Sequence, residues 1–96
     1  MQNKAIEYGY QILKAMGNLR RLQILYVLKN QEKKVGDLEQ IIGLSQSALS
    51  QHLAVLRQGG LVKTRRDAQT IYYSIKNAMV FNILNILDKF YNQYYE

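Results

Sequence analysis

The 96-residue chain predicts a mainly α-helical domain with one small β-hairpin, a winged helix-turn-helix of order α-α-α-α-β-β-α. Three observations carry that reading. Residues 44–75, LSQSALSQHLAVLRQGGLVKTRRDAQTIYYSI, give a capped helix of small polar residues, a glycine stop, and two short strands joined by a turn flanked with arginine. Apolar residues recur at helical spacing before and after this stretch. Thirteen Lys and Arg against seven Asp and Glu leave a net charge of +6, and a dimer would carry twice that. Such a parts order suits a helix laid in a DNA groove, and such a charge suits a polyanionic partner.

The elements follow in order. From about Lys4 to Met16, Ile6, Tyr10, Leu13 and Gly17 recur at helical spacing, with Ala5, Tyr8 and Ile12 on an adjoining stripe, so this helix has two apolar faces to cover. Leu22, Leu25, Tyr26 and Leu28 predict a core helix from about Leu19 to Leu28, ended by polar Asn30 to Lys34. A short helix from Val35 or Gly36 to Ile42 carries Leu38, Ile41 and Ile42, and Gly43 behind it is a natural left-handed stop.

The next helix, about 45–58, is the most informative element. Ser45 stands at the N-cap position, where its hydroxyl can accept from the amide of Ser47 or Ala48. Leu44 before it can staple onto Leu49. Leu49, Leu53 and Leu56 mark a buried stripe at i, i+4 and i+7, which turns Ser47, Ser50, Gln51, Ala54 and Gln58 outward. A solvated face would more often hold Glu and Lys. Short hydroxyl and amide groups instead suit close approach, and Gln can pair bidentately with an adenine edge in a major groove.

Gly59-Gly60 closes that helix and Leu61 returns to the core. Val62 to Arg66 and Ile71 to Ile75 read as strands within a wing of about 62–75, with Asp67 to Thr70 as the turn and Ile71, Tyr73 and Ile75 on one face. The wing brings Lys63, Arg65 and Arg66 near a phosphate backbone, or sends one arginine into a narrow minor groove; which one, the sequence leaves open. The last helix, about Ala78 to Tyr94, carries Met79, Val80, Ile83, Leu84, Ile86, Leu87, Phe90, Tyr91 and Tyr94, an arc too broad for one contact, and part of it should face a second subunit.

Composition excludes several classes. An apolar fraction of 48% is that of a folded protein, and 96 residues hold a single domain, residues 1–96, with a modest core. The absence of cysteine removes disulfides, thiolate metal sites and sulfur redox chemistry. No run approaches the roughly 18 apolar residues of a membrane span, so a cytoplasmic protein without membrane contact is expected. His52, the only histidine, could be a base contact, a metal ligand or a catalytic base, but it flanks the buried stripe, where a packing or phosphate role outweighs these. The nearby serines lack an acid partner and an oxyanion loop, so no enzymatic activity and no catalytic residue is expected.

The segments LSQSALSQHLAVLRQGGLVKTRR and YYSI, preceded by MGNLRRLQIL, resemble the ArsR (SmtB) family of bacterial winged-helix repressors over nearly the whole chain. VGDL, LSQSALSQHL and TRRDAQTIYY are most similar to its HlyU, NolR and BigR branch. The resemblance implies a transcriptional repressor that binds double-stranded DNA as a homodimer joined through its first and last helices, on an imperfect inverted repeat. It places base reading on Gln46, Ser47, Ser50 and Gln51 and wing contacts on Arg65, Arg66, Gln69 or Thr70; from their positions alone His52 on the same helix and Lys63 in the wing join the expected DNA-facing set. Gln46 is off the outward stripe, but in the first turn, where helix N-termini meet bases.

The departures are equally informative. Metal-sensing members carry Cys near the third helix, where this chain has Val35-Gly36-Asp37, and others hold zinc through Asp and His between the last helices, where this chain has Asp88 and no His. Sulfur-responsive members pair cysteines at positions that align with Tyr26 and Asn92. No metal or cofactor is therefore expected. A small-molecule effector is not named by the sequence; the tyrosines of FYNQYY are where one would be sought, although core and interface packing accounts for them more simply. Two other readings stand beside repression: an antirepressor that displaces a nucleoid protein, and a protein-interaction module whose charge serves solubility.

Overall fold

Asparagine and serine side chains set the helix boundaries in the computed structural model, which describes residues 3–95. Asn3 Oδ1 accepts from the Ala5 amide at 2.7 Å and opens α1 (Lys4–Met16). Asn18 Oδ1 accepts from the Arg21 amide at 3.1 Å and opens α2 (Leu19–Leu28). Each cap satisfies an amide that the helix itself leaves without a partner. A two-residue strand, β1 (Lys33–Lys34), leads into α3 (Val35–Ile42), which ends at Gly43 with φ 78°. Ser45 Oγ accepts from the Ala48 amide at 3.2 Å and starts α4 (Gln46–Gln58), one of the two cap partners expected for it. Gly60, at φ 77°, turns the chain into β2 (Val62–Asp67), β3 (Thr70–Ile75) and α5 (Ala78–Tyr95).

The described residues thus form five helices and a three-stranded antiparallel sheet of order β1-β3-β2. The expected hairpin is there, each strand one residue longer than its sequence signature and the turn reduced to Ala68 and Gln69. The third strand is an addition to the sequence reading, in which Lys33 and Lys34 are only a polar helix end. Two lysines carry no strand pattern; their pairing with Tyr73 and Tyr72 of β3 is imposed by the tertiary fold.

The core gathers Ile12, Ala15 and Met16 of α1, Ile24, Leu25 and Leu28 of α2, Leu38 of α3, Leu49, Leu53 and Leu56 of α4, and Leu61, Val62, Ile75, Val80 and Leu84 beyond. Burying one such aliphatic side chain is worth about 1.5–3 kcal/mol, so this cluster is what orients the helices around α2. Of the two apolar stripes of α1 only Ile12 is buried, joined in the core by Ala15 and Met16, whereas Ile6, Tyr8, Tyr10 and Leu13 remain exposed. Ile24 likewise joins Leu25 inside, while Leu22 and Tyr26 are half-buried.

The last helix is tied to α2 by a polar latch. Asp88 accepts from the Tyr26 hydroxyl at 3.2 Å and from Lys29 Nζ at 2.9 Å. The Lys29 hydrogen bond, helped by Tyr26 and opposed by desolvation, holds the Asp88 carboxyl below its ordinary value of 3.8. At the other end, Asn77 donates to the Tyr8 hydroxyl at 2.6 Å and caps the Met79 amide at 2.9 Å, joining α1 to the start of α5.

A group whose folded pKa is depressed stabilises the fold above its unfolded value, and that contribution disappears as pH falls through the folded value. Asp88→Asn is therefore expected to melt below wild type near neutral pH, with the gap in thermal midpoint closing as pH falls below 3.8. A gap that stays constant down to pH 2 would show that the carboxylate of Asp88 contributes nothing to the latch.

Candidate nucleic-acid interface

Three leucines decide which side of α4 is free. Leu49, Leu53 and Leu56 are 0, 2 and 0% exposed, and they seat the helix on α2 and α3. The 100° step between residues then turns Ser47, Ser50, Gln51, Ala54 and Gln58 into solvent; Gln46, off that stripe, is open because it begins the first turn, and all six are exposed. The four reading positions expected from the sequence lie together on the N-terminal half of this face. Serine and alanine at Ser47, Ser50 and Ala54 keep the surface low enough for a groove floor to approach the backbone of the helix.

The N-terminal turn carries no acidic residue, and its amides beyond the Ser45 cap point outward, which favours a negative partner at this end. The C-terminal half of the same face is walled by the sheet. Ser50, Ala54, Arg57, Gln58 and Tyr73 line an open groove of about 490 Å³ between α4 and β3. Arg57 and Tyr73 are not among the site residues expected from the sequence; the strand alternation that puts Tyr73 with Ile71 and Ile75 is a signal for it, but no motif is.

His52 is half-buried at the edge of this face, and its Nδ1 lies 3.4 Å from Arg21 Nη1. Guanidinium has only donors, so the imidazole nitrogen is the acceptor. The same arginine donates through Nε to the Ala15 carbonyl at 2.7 Å and through Nη2 to the Lys14 carbonyl at 3.5 Å, binding the last turn of α1 to α4. His52 thus has a positioning partner inside the subunit. Arg21 is a third residue whose part the sequence does not disclose, because its partners are backbone carbonyls one helix away and His52 at a distance of 31 residues.

The wing separates its arginines by strand alternation. In β2, Lys63 and Arg65 point to one side of the sheet, with Tyr72 and Ser74 opposite them, whereas Thr64 and Arg66 share the side of Tyr73 and Ile71, towards α4. Arg66 is exposed there. Arg65 is forked onto the Glu32 carboxylate, with Nε 3.1 and 2.9 Å from its two oxygens, and its guanidinium lies 4.5 Å from the centroid of the Tyr72 ring. The hydrogen bond from Arg65 is the main cause that pulls the Glu32 carboxyl below its ordinary range. Lys63 is exposed beside that pair, Gln69 is exposed at the tip, and Thr70 is half-buried, bordering a shallow hollow with Lys34, Val35 and Gly36.

Known proteins share this fold. Residues 18–64 match the family described as bacterial regulatory protein, arsR family. The transcriptional activator HlyU of Vibrio cholerae is 51% identical over 82 residues, covering 85% of this chain and 76% of that protein. The nodulation protein NolR of Rhizobium meliloti is 56% identical over 85 residues, covering 88% of this chain and 70% of its own length. Among solved structures, HlyU from V. cholerae superposes with a TM-score of 0.89 at 47% identity, over 94% of this chain and 98% of that one. A homodimeric winged helix-turn-helix DNA-binding domain from Mycobacterium bovis superposes at 0.84 with 28% identity, over 100% of this chain and 93% of the other.

The wing turn contains one strained position. Ala68 has φ 57° at the first central residue of a two-residue hairpin, where glycine is usual because a Cβ crowds the following carbonyl. Ala68→Gly is expected to stabilise the fold by about 0.5–1 kcal/mol, and Ala68→Val to destabilise it by a similar amount or more. Equal denaturant midpoints for all three proteins would show that the turn carries no strain.

Proposed function

The chain belongs to the ArsR family of bacterial regulatory proteins and is accordingly a DNA-binding transcriptional regulator and not an enzyme; from that premise we propose that it acts as a homodimer repressing transcription from an inverted-repeat operator in the cytoplasm. The observation that carries the proposal is the face of α4: four short polar side chains, Gln46, Ser47, Ser50 and Gln51, exposed together at an amide-rich helix start. They are the base-reading set, entering the major groove from the N-terminal end of the helix. Phosphate contacts fall to Arg66, with Gln69 and Thr70 at the wing tip and Lys63 adding charge. Arg65 reaches DNA only by leaving Glu32, and His52 serves the interface by holding α4 to Arg21. The whole chain, residues 1–96, is one such domain.

The second subunit is supported by apolar surface. Tyr10 and Leu13 of α1 are 61 and 60% exposed, and Ile86, Phe90 and Tyr94 of α5 are 54, 48 and 69% exposed. A lone soluble domain rarely leaves so much apolar side chain in water. The M. bovis structure, homodimeric by its own description, gives the same support from a related fold. In a two-fold dimer the two α4 helices would enter successive major grooves about 34–36 Å apart, so the operator repeats the symmetry of the protein.

Repression then needs only that the bound dimer cover promoter DNA. The relative HlyU is named an activator, which supports a second reading, relief of silencing by displacing a nucleoid protein. Transcription from the isolated promoter separates the two: repression lowers it with polymerase alone, whereas displacement raises it only when the nucleoid protein is present. Among the described residues no helix is long and apolar enough to cross a membrane. No effector is assigned.

Gln51→Ala or Ser50→Ala should weaken the selected operator by about 1–3 kcal/mol while leaving random duplex affinity unchanged. Arg66→Ala should weaken both, and flatten the dependence of log K on log salt by about 0.9 per subunit contact. Anisotropy titrations at several salt concentrations measure both. Equal losses on operator and random DNA for the α4 variants would refute base reading by this face.

A further inference from the structure

Arg65 and Arg66 are adjacent in the chain but belong to opposite faces of the wing, and among the described residues Arg65 has a carboxylate partner and Arg66 has none. The sheet order β1-β3-β2 puts Tyr72 in the middle strand, opposite Arg65 on one side and Lys34 on the other. From β2 the Arg65 side chain crosses the ring of Tyr72 and forks onto Glu32, which stands just before β1 at the end of the α2 turn. The contact therefore runs from β2 across β3 to the residue that precedes β1. Apart from the β2–β3 ladder, little side-chain packing holds this part of the wing: beyond Thr64 every residue of β2 is exposed, Ile71 is exposed in β3, and β1 contributes two residues of ladder. The buried anchors, Val62 and Ile75, lie at the base.

We infer that Glu32, Arg65 and Tyr72 form a brace that fixes the angle of the wing against the body of the domain, and that Arg65 is a positioning residue which aims Arg66 rather than a DNA contact. The planar fork of guanidinium matches a carboxylate in two bonds and stacks on an aromatic face at the same time, which a lysine cannot do. Exposed ion pairs are usually weak, but this one has bidentate geometry and a stacked ring, the circumstances in which such a pair has measurable strength. Its effect is leverage. The brace sits at mid-wing, and the strand alternation it preserves is what holds the next residue, Arg66, on the α4 side.

The inference rests on the wing meeting DNA as proposed above, so its test has one readout that involves no DNA. Amide hydrogen exchange across residues 62–75 is measured for the full chain as wild type, Glu32→Gln, Arg65→Ala, the double variant and Arg65→Lys, beside operator titrations from 50 to 200 mM salt, with Arg66→Ala as the comparison. The brace predicts that Glu32→Gln and Arg65→Ala each speed exchange of the wing about two- to five-fold, that the double variant is no worse than either, and that Arg65→Lys fails to restore protection. It also predicts that both single variants weaken the operator while leaving the salt slope at the wild-type value, whereas Arg66→Ala flattens it.

Two results overturn the brace. Unchanged wing exchange in Glu32→Gln and Arg65→Ala does so outright. So does tighter DNA binding by Glu32→Gln paired with a flattened salt slope in Arg65→Ala, which would make Arg65 a phosphate contact that Glu32 merely shields. If Arg66→Ala leaves operator affinity and salt slope untouched, the DNA reading of the wing fails instead, and the exchange measurement still decides the brace.

Discussion

Everything proposed for this chain depends on the seating of α4 by Leu49, Leu53 and Leu56. Three leucines at i, i+4 and i+7, each with almost no exposed surface, fix the rotation of the helix about its axis. A shift of that stripe by one position would rotate the outer face by about 100° and bury part of the polar set. Ser45 fixes the other coordinate, the point at which the helix begins, by capping the Ala48 amide. Rotation and start together determine that Gln46, Ser47, Ser50 and Gln51 stand at the tip. Arg21 secures the same helix from behind, drawing His52 and the carbonyls of Ala15 and Lys14 to one guanidinium.

The wing is built on a different physical footing. Its base is packed into the core through Val62 and Ile75, but its distal half has no buried side chain to hold it. Direction is therefore supplied by polar contacts and strand alternation, which cost little to break and can be tuned one residue at a time. Two adjacent arginines with the same formal charge end up with different work, because one has a carboxylate and a tyrosine ring within reach and the other faces open solvent.

Patterns confined to a short stretch of chain are legible from residue type and spacing alone. The periodicity of α4, its serine cap, the glycine stops at Gly43 and Gly60 and the alternation of β3 are of this kind, and their boundaries agree with the structure to within a residue. What escapes such a reading is set by contacts between distant segments. Lys33 and Lys34 form a strand only because β3 offers an unpaired edge, and α1 buries Ala15 and Met16 because α2 and α4 approach its C-terminal end. The partner of Arg65 lies 33 residues away in the chain, so no local motif could separate it from Arg66. The apolar faces of α1 and α5 are legible as surplus, and the structure leaves Tyr10, Leu13, Phe90 and Tyr94 in solvent accordingly.

Whether the outer face of α4 reads bases is tested by selection of binding sites from a random duplex pool. Wild type and a Gln51→Asn variant would be selected in parallel and their enriched sites compared. An inverted repeat is expected for both, with the variant changing its preferred base at one position that recurs symmetrically in each half-site and retaining the rest. Identical consensus sequences, or no enrichment over the starting pool, would contradict base reading by this face.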